Sequence, residues 1–128
     1  MGAELFEIAS REDAALDTSR IVVLRQSLGD QRCREIVSEV VFHLTDRLGL
    51  LQQALGAGDA AEAQVLASRL ASLSEQVGLA DFARVARDLG ACLTAGDAVA
   101  TAAVGARLMR LGEDSLFSVM LYADQSAL

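Results

Sequence analysis

Leu51-Gln52-Gln53-Ala54-Leu55-Gly56-Ala57-Gly58-Asp59-Ala60-Ala61-Glu62-Ala63-Gln64-Val65-Leu66 decides the fold of this chain. A run of good helix formers ends on Gly58, and the next begins on Asp59. Glycine takes the left-handed conformation past a helix C-terminus, and an aspartate side chain caps the free N–H groups of a new first turn. Glu62 stands three residues after Asp59, the spacing of a capping box. The same step recurs at Gly29-Asp30 and Gly96-Asp97, each read as a C-terminal glycine and an N-cap aspartate, and a further stop falls at Gly78. These marks predict a short helix from about Asp17 to Leu28 and four longer ones. The longer helices run at about Asp30–Gly56, Asp59–Val77, Ala80–Ala95 and Asp97–Tyr122.

Apolar residues return with helical spacing in each long segment. The second helix carries Ile36, Val40, Leu44, Leu48, Leu51 and Leu55, and the third Ala63, Leu66, Leu70, Leu73 and Val77. Phe82, Val85, Leu89 and Leu93 mark the fourth, and Val104, Leu108 and Leu111 the fifth. Joints of two or three residues force neighbouring helices to run antiparallel. The expected fold is therefore all-α: an antiparallel up-down-up-down four-helix bundle with a short additional N-terminal helix covering one end. Residues 16–128 form this single domain. Residues 1–15, with Leu5, Phe6 and Ile8, hold at most a loose amphipathic turn. A break in the fifth helix is expected at Gly112-Glu113-Asp114-Ser115. Beyond it, Leu116, Phe117, Val119, Met120, Leu121 and Tyr122 are apolar almost all round, which suits deep core or a self-association surface.

Composition agrees with one helical domain. The chain has 128 residues, 52% of them hydrophobic, with 4% aromatics and no proline to interrupt a helix. Net charge is −7 and all eleven basic residues are arginine. So acidic a surface repels phosphate backbones, which argues against nucleic-acid binding. Glu4, Glu7, Glu12 and Asp13 are unlike the basic, then apolar, start of a targeting signal. No apolar run approaches the ~18 residues of a membrane span. Cys33 and Cys92 lack metal-ligand spacing and read as ordinary thiols of a cytoplasmic protein. No metal or cofactor is called for.

The run Leu16–Asp30, the helix ending Leu51–Asp59, and Leu66-Ala67-Ser68-Arg69-Leu70-Ala71-Ser72-Leu73-Ser74-Glu75-Gln76-Val77-Gly78-Leu79 together resemble a histidine-containing phosphotransfer domain. The resemblance covers about Leu16 to Leu111. In that family the third stretch reads Ala-His-x-Leu-Lys-Gly before a Leu-Gly or Val-Gly step. The departures fall on the chemistry. Ser68 occupies the phosphoacceptor position, Ala71 replaces the lysine that neutralises the phosphoryl group, and Ser72 replaces the glycine that admits a receiver domain. Arg69 and Leu70 fit the framework.

Serine is a poor stand-in for histidine. Imidazole is nucleophilic near neutral pH and its phosphoramidate is high in energy, so phosphate passes reversibly to an aspartate. A serine hydroxyl needs a neighbouring base, and its ester is too stable to hand on. Gln64, Ala71, Ser72 and Glu75, the neighbours of Ser68 by helical spacing, include no such base, and Glu75 repels phosphate. His43, the only histidine, comes within about a turn of the level of Ser68 when the chain folds back at Gly56–Gly58. It sits at the edge of the core stripe, with Asp46 and Arg47 following where lysine and glycine are wanted. It reads as a boundary polar residue.

On the third helix Ala61, Gln64, Ser68, Ala71, Ser72 and Glu75 project opposite the core stripe. On the second, Phe42 points outward beside Asp46, as a docking anchor or as a residue under the N-terminal segment or in a dimer contact. The expected binding surface is Phe42, Asp46, Gln64, Ser68, Arg69, Ala71, Ser72 and Glu75. Arg84 has ion-pair spacing to both Asp81 and Asp88. The resemblance implies a non-enzymatic signalling protein of the two-component phosphorelay type that binds a receiver domain without carrying phosphate. Two alternatives are a structural bundle that homodimerises through its C-terminal apolar segment, and a phosphotransfer protein with an unorthodox acceptor.

Overall fold

The computed structural model describes residues 16–125. Five helices make up 91% of them, and no strand occurs among them. They are α1 (Thr18–Leu28), α2 (Asp30–Ala57), α3 (Ala60–Gln76), α4 (Ala80–Ala95) and α5 (Ala98–Gln125). The helix ends follow from local chemistry. Asp17, Asp59 and Asp97 cap α1, α3 and α5, accepting from the backbone N–H groups of Ser19, Glu62 and Ala100 at 3.0–3.2 Å. Bonds from the Ser19 hydroxyl and its backbone N–H hold the Asp17 carboxyl below the usual carboxylate range. Gly58 and Gly96 end α2 and α4 in the left-handed conformation, at φ 72° and 68°. The first Gly-Asp step differs from its expected reading. Gly29 ends α1 and also caps α2, while Asp30 lies inside the first turn of α2 and pairs with Arg25 at 3.4 Å.

Each helix packs on the next, and α5 returns to pack on α2. The core they enclose holds Val37, Leu44 and Leu51 of α2, Leu66 and Leu70 of α3, Phe82, Val85 and Leu89 of α4, and Leu108 and Val119 of α5. Each such side chain contributes about 1.5–3 kcal/mol by leaving water. Ile21 of α1 joins this core, and its carbonyl accepts from the buried Cys33 thiol at 3.8 Å. Two further contacts fix α1. Leu16 and Asp17 lie against the α3–α4 turn, where the Asp17 N–H donates to the Gly78 carbonyl at 2.8 Å. The Arg25 guanidinium stands 5.9 Å from the centre of the Tyr122 ring.

The break expected at Gly112-Glu113-Asp114-Ser115 does not occur: α5 runs through it. Gly112 is buried where helices meet, and a Cβ there would stand 2.7 Å from Leu48 Cδ2 and 3.2 Å from Phe82 Cε2. Its missing side chain serves a close approach, not a turn. Gly112→Val should therefore destabilise the protein by about 2 kcal/mol through overpacking, read as a lowered urea midpoint. A change below about 0.5 kcal/mol would show that Leu48 and Phe82 simply move aside. At the end of α5, Val119 is buried while Phe117, Met120 and Leu121 are exposed. The amphipathic turn with Leu5, Phe6 and Ile8 lies outside the described residues. Among those described, no helix is long and apolar enough to cross a membrane.

Candidate functional site

Gly58 turns the chain so that Arg47, eleven residues before it, meets Ser68, ten residues after it. The two line one open depression between α2 and α3 of about 310 Å³, completed by Arg69, Ser72, Leu73 and Gln76. Ser68, Arg69 and Ser72 are exposed, as expected. Arg47 is half-buried at the rim, and its guanidinium reaches the His43 carbonyl at 3.5 Å.

The rest of the expected surface divides. Ala71 is only 3% exposed and belongs to the core. The outward reading took the third helix's core stripe from its leucines and Val77. The buried set also includes Ala63, Ala67, Ala71 and Ser74, while Leu73 is only partly covered. That turns the true stripe by about 60°. Small side chains on this flank let α4 pack closely. Ser74 satisfies its hydroxyl there by donating to the Leu70 carbonyl at 2.7 Å. Gln64 is half-buried and turned toward α4, where its amide donates to Thr94 Oγ1 at 3.1 Å. Glu75 is ion-paired with Arg87 of α4, so its charge is compensated. Arg84 takes Asp81.

Phe42 and Asp46 are exposed on the outer ridge of α2, with Phe42 at 68%. Phe42 points roughly 140° around the helix from Arg47, so it flanks the depression and does not line it. His43 is exposed too, beyond the boundary position expected for it, and its ring meets Phe42 edge-on at 5.7 Å. It is not among the residues of the depression.

No family model, curated protein or solved structure gives this chain a significant match. Arg47 and Arg69 make no ion pair with any described residue. Two guanidinium groups and two hydroxyls thus converge on one depression of a chain whose net charge is −7. Planar guanidinium donors suit a carboxylate or phosphate oxygen pair. Among the described residues neither serine has a base against it, and the groups that line the depression suit recognition of an anion. No group of three or more metal-binding side chains occurs among the described residues.

Arg47 is the residue that sequence reasoning missed. The fold-back at Gly58 that sets His43 near the level of Ser68 sets Arg47 opposite Ser68 itself. The spacing itself carries that signal, since Arg47 and Ser68 stand eleven and ten residues to either side of Gly58.

Proposed function

We propose that this protein is a docking module of phosphorelay type that binds a receiver domain across α2 and α3 without accepting its phosphate. The reading includes the architecture. Turns of two or three residues join α2 through α5, and the return of α5 to α2 closes a ring, which supports an antiparallel up-down-up-down bundle with α1 across one end. Meeting of Arg47 and Ser68 across the Gly58 turn supports the antiparallel sense of the first pair. Two free thiols, Cys33 and Cys92, accord with a reducing cytoplasm.

The observation that carries the proposal is Ser68. It stands exposed, on the helix and at the level where the resemblance puts a phosphoacceptor, beside two arginines and no base. A receiver presents an aspartyl carboxylate or an aspartyl phosphate, an anion in either state. The Arg47–Arg69 pair complements both. The buried Ala71 leaves no room for the family's lysine on its own helix, so Arg47 from α2 supplies the positive charge instead.

Incubation with phosphorylated receivers from the host cell should leave no label on this protein, while direct binding to one of them is detected by titration calorimetry. Ser72→Trp, which fills the depression from an exposed position, should weaken that binding about tenfold or more. Phe42→Ala should weaken it less. A stable phosphoserine lost in Ser68→Ala, or an acid-labile label lost in His43→Ala, would establish a true acceptor and end the proposal. So would failure of every receiver to bind.

A further inference from the structure

The outer face of α5 is unlike the outer faces of the other helices. Val99, Ala102, Ala103, Ala106, Arg110, Glu113, Phe117, Met120 and Leu121 are all exposed, and at 100° per residue they fall on one stripe. Val99 is 82% exposed and Phe117 64%. From end to end the stripe reads small and apolar, then a charge pair, then large and apolar. Beside its small half lies a depression of about 470 Å³ between α5 and α2, floored by Gly105, Ala102, Ala106 and Ala98 with Leu55 and Gly56 opposite. A dry cavity of about 150 Å³ is enough for a benzene ring, so this groove has room for a phenylalanine side chain.

We infer that this face is the contact between two copies of the chain, related by a twofold axis that crosses α5 between Leu111 and Gly112. The pattern dictates that arrangement. Antiparallel pairing about that point sets Arg110 against the partner's Glu113, and Glu113 against the partner's Arg110. It also sets Ala106 against the partner's Phe117, Ala103 against the partner's Met120 and Ala102 against the partner's Leu121. Phe117, Met120 and Leu121 each meet an alanine, and Phe117 enters the groove beside Ala106. Arg110 and Glu113 make no ion pair with any described residue, so both are open for the cross-pairing. A twofold contact uses the same patch on both copies, and a stripe whose two halves are complementary in size and charge meets that condition by itself. The span Val99–Leu121 is about 35 Å long. The receiver depression is lined by other residues of α2 and α3 than those of this groove.

Sedimentation equilibrium of the full chain at micromolar concentration tests the inference. The wild type should be a reversible dimer, and Phe117→Asp and Ala106→Glu should be monomers with unchanged helix content. Arg110→Glu alone and Glu113→Arg alone set like charges together and should each weaken association about tenfold or more. The double variant Arg110→Glu/Glu113→Arg restores both cross-pairs and should return to nearly wild-type association. A monomeric wild type overturns the inference. So does a double variant no better than the single ones, because only the antiparallel register pairs those two positions across the axis. Receiver binding can fail in these samples without affecting the outcome.

Discussion

Gly78→Ala is expected to destabilise the protein by about 3 kcal/mol. Two effects combine. Gly78 sits at φ 82°, in the left-handed region, where a Cβ raises the energy by about 1–2 kcal/mol. At this position the Cβ would also overlap the Asp17 carbonyl oxygen, which is backbone and has no rotamer to retreat to. Relief requires Asp17 to withdraw, breaking its 2.8 Å bond to the Gly78 carbonyl and loosening α1 from the core. Gly96→Ala is the matched control. It has a similar φ of 68° with open space around the added methyl, so it should lose only about 1 kcal/mol. Urea denaturation gives the two values, and amide exchange at Ile21 and Leu24 should quicken in Gly78→Ala alone. Equal losses in the two variants would mean that α1 is not held by this turn.

Helix ends were legible in the sequence because they rest on local chemistry. An aspartate cap or a left-handed glycine acts within a few residues, and the helix ends that a Gly-Asp step or Gly78 marks, from the end of α1 to the start of α5, lie within two residues of those marks. Which face of a helix is buried is less local. The leucines of α3 pulled the expected core stripe toward themselves, but alanine contributes by letting a neighbouring helix come close. Ala67, Ala71 and Ser74 were therefore undervalued, and Ala71 was placed in water when it is in the core. Gly112 was misread for the same reason: a glycine that ends a helix and a glycine that admits a neighbour look alike until the neighbour is in place. The site was half legible. Ser68, Arg69 and Ser72 came from one helix and one periodicity, whereas Arg47 required pairing two helices residue by residue.

Under the proposed reading, the buried face of α3 limits how phosphotransfer chemistry could be introduced. Introducing lysine at Ala71 would drive a charge into the core, which is strongly unfavourable. A variant designed to accept phosphate should use Ser68→His with Ser72→Gly, keep Ala71, and rely on Arg47 for positive charge.

That dependence on Arg47 leads to the largest functional effect expected. Arg47→Glu combined with Arg69→Glu should weaken receiver binding about a hundredfold, with the loss mainly in the association rate. Both side chains reach solvent and neither is ion-paired with a described residue, so the fold should be little changed. Reversal turns a spot of charge +2 into −2 directly against an anionic aspartyl site, on a surface already acidic elsewhere. Salt provides the internal check. At physiological ionic strength charges beyond about 8 Å are screened, so wild-type association should slow as salt rises, while the doubly reversed protein should show little or opposite dependence. Stopped-flow association across a salt series measures both quantities. Were the reversed protein to bind as fast as wild type while Phe42→Ala abolished binding, the receiver would be meeting the outer ridge of α2. The Ser68 depression would then have no part in recognition, and the phosphorelay reading would lose the one chemical feature that ties it to an anion.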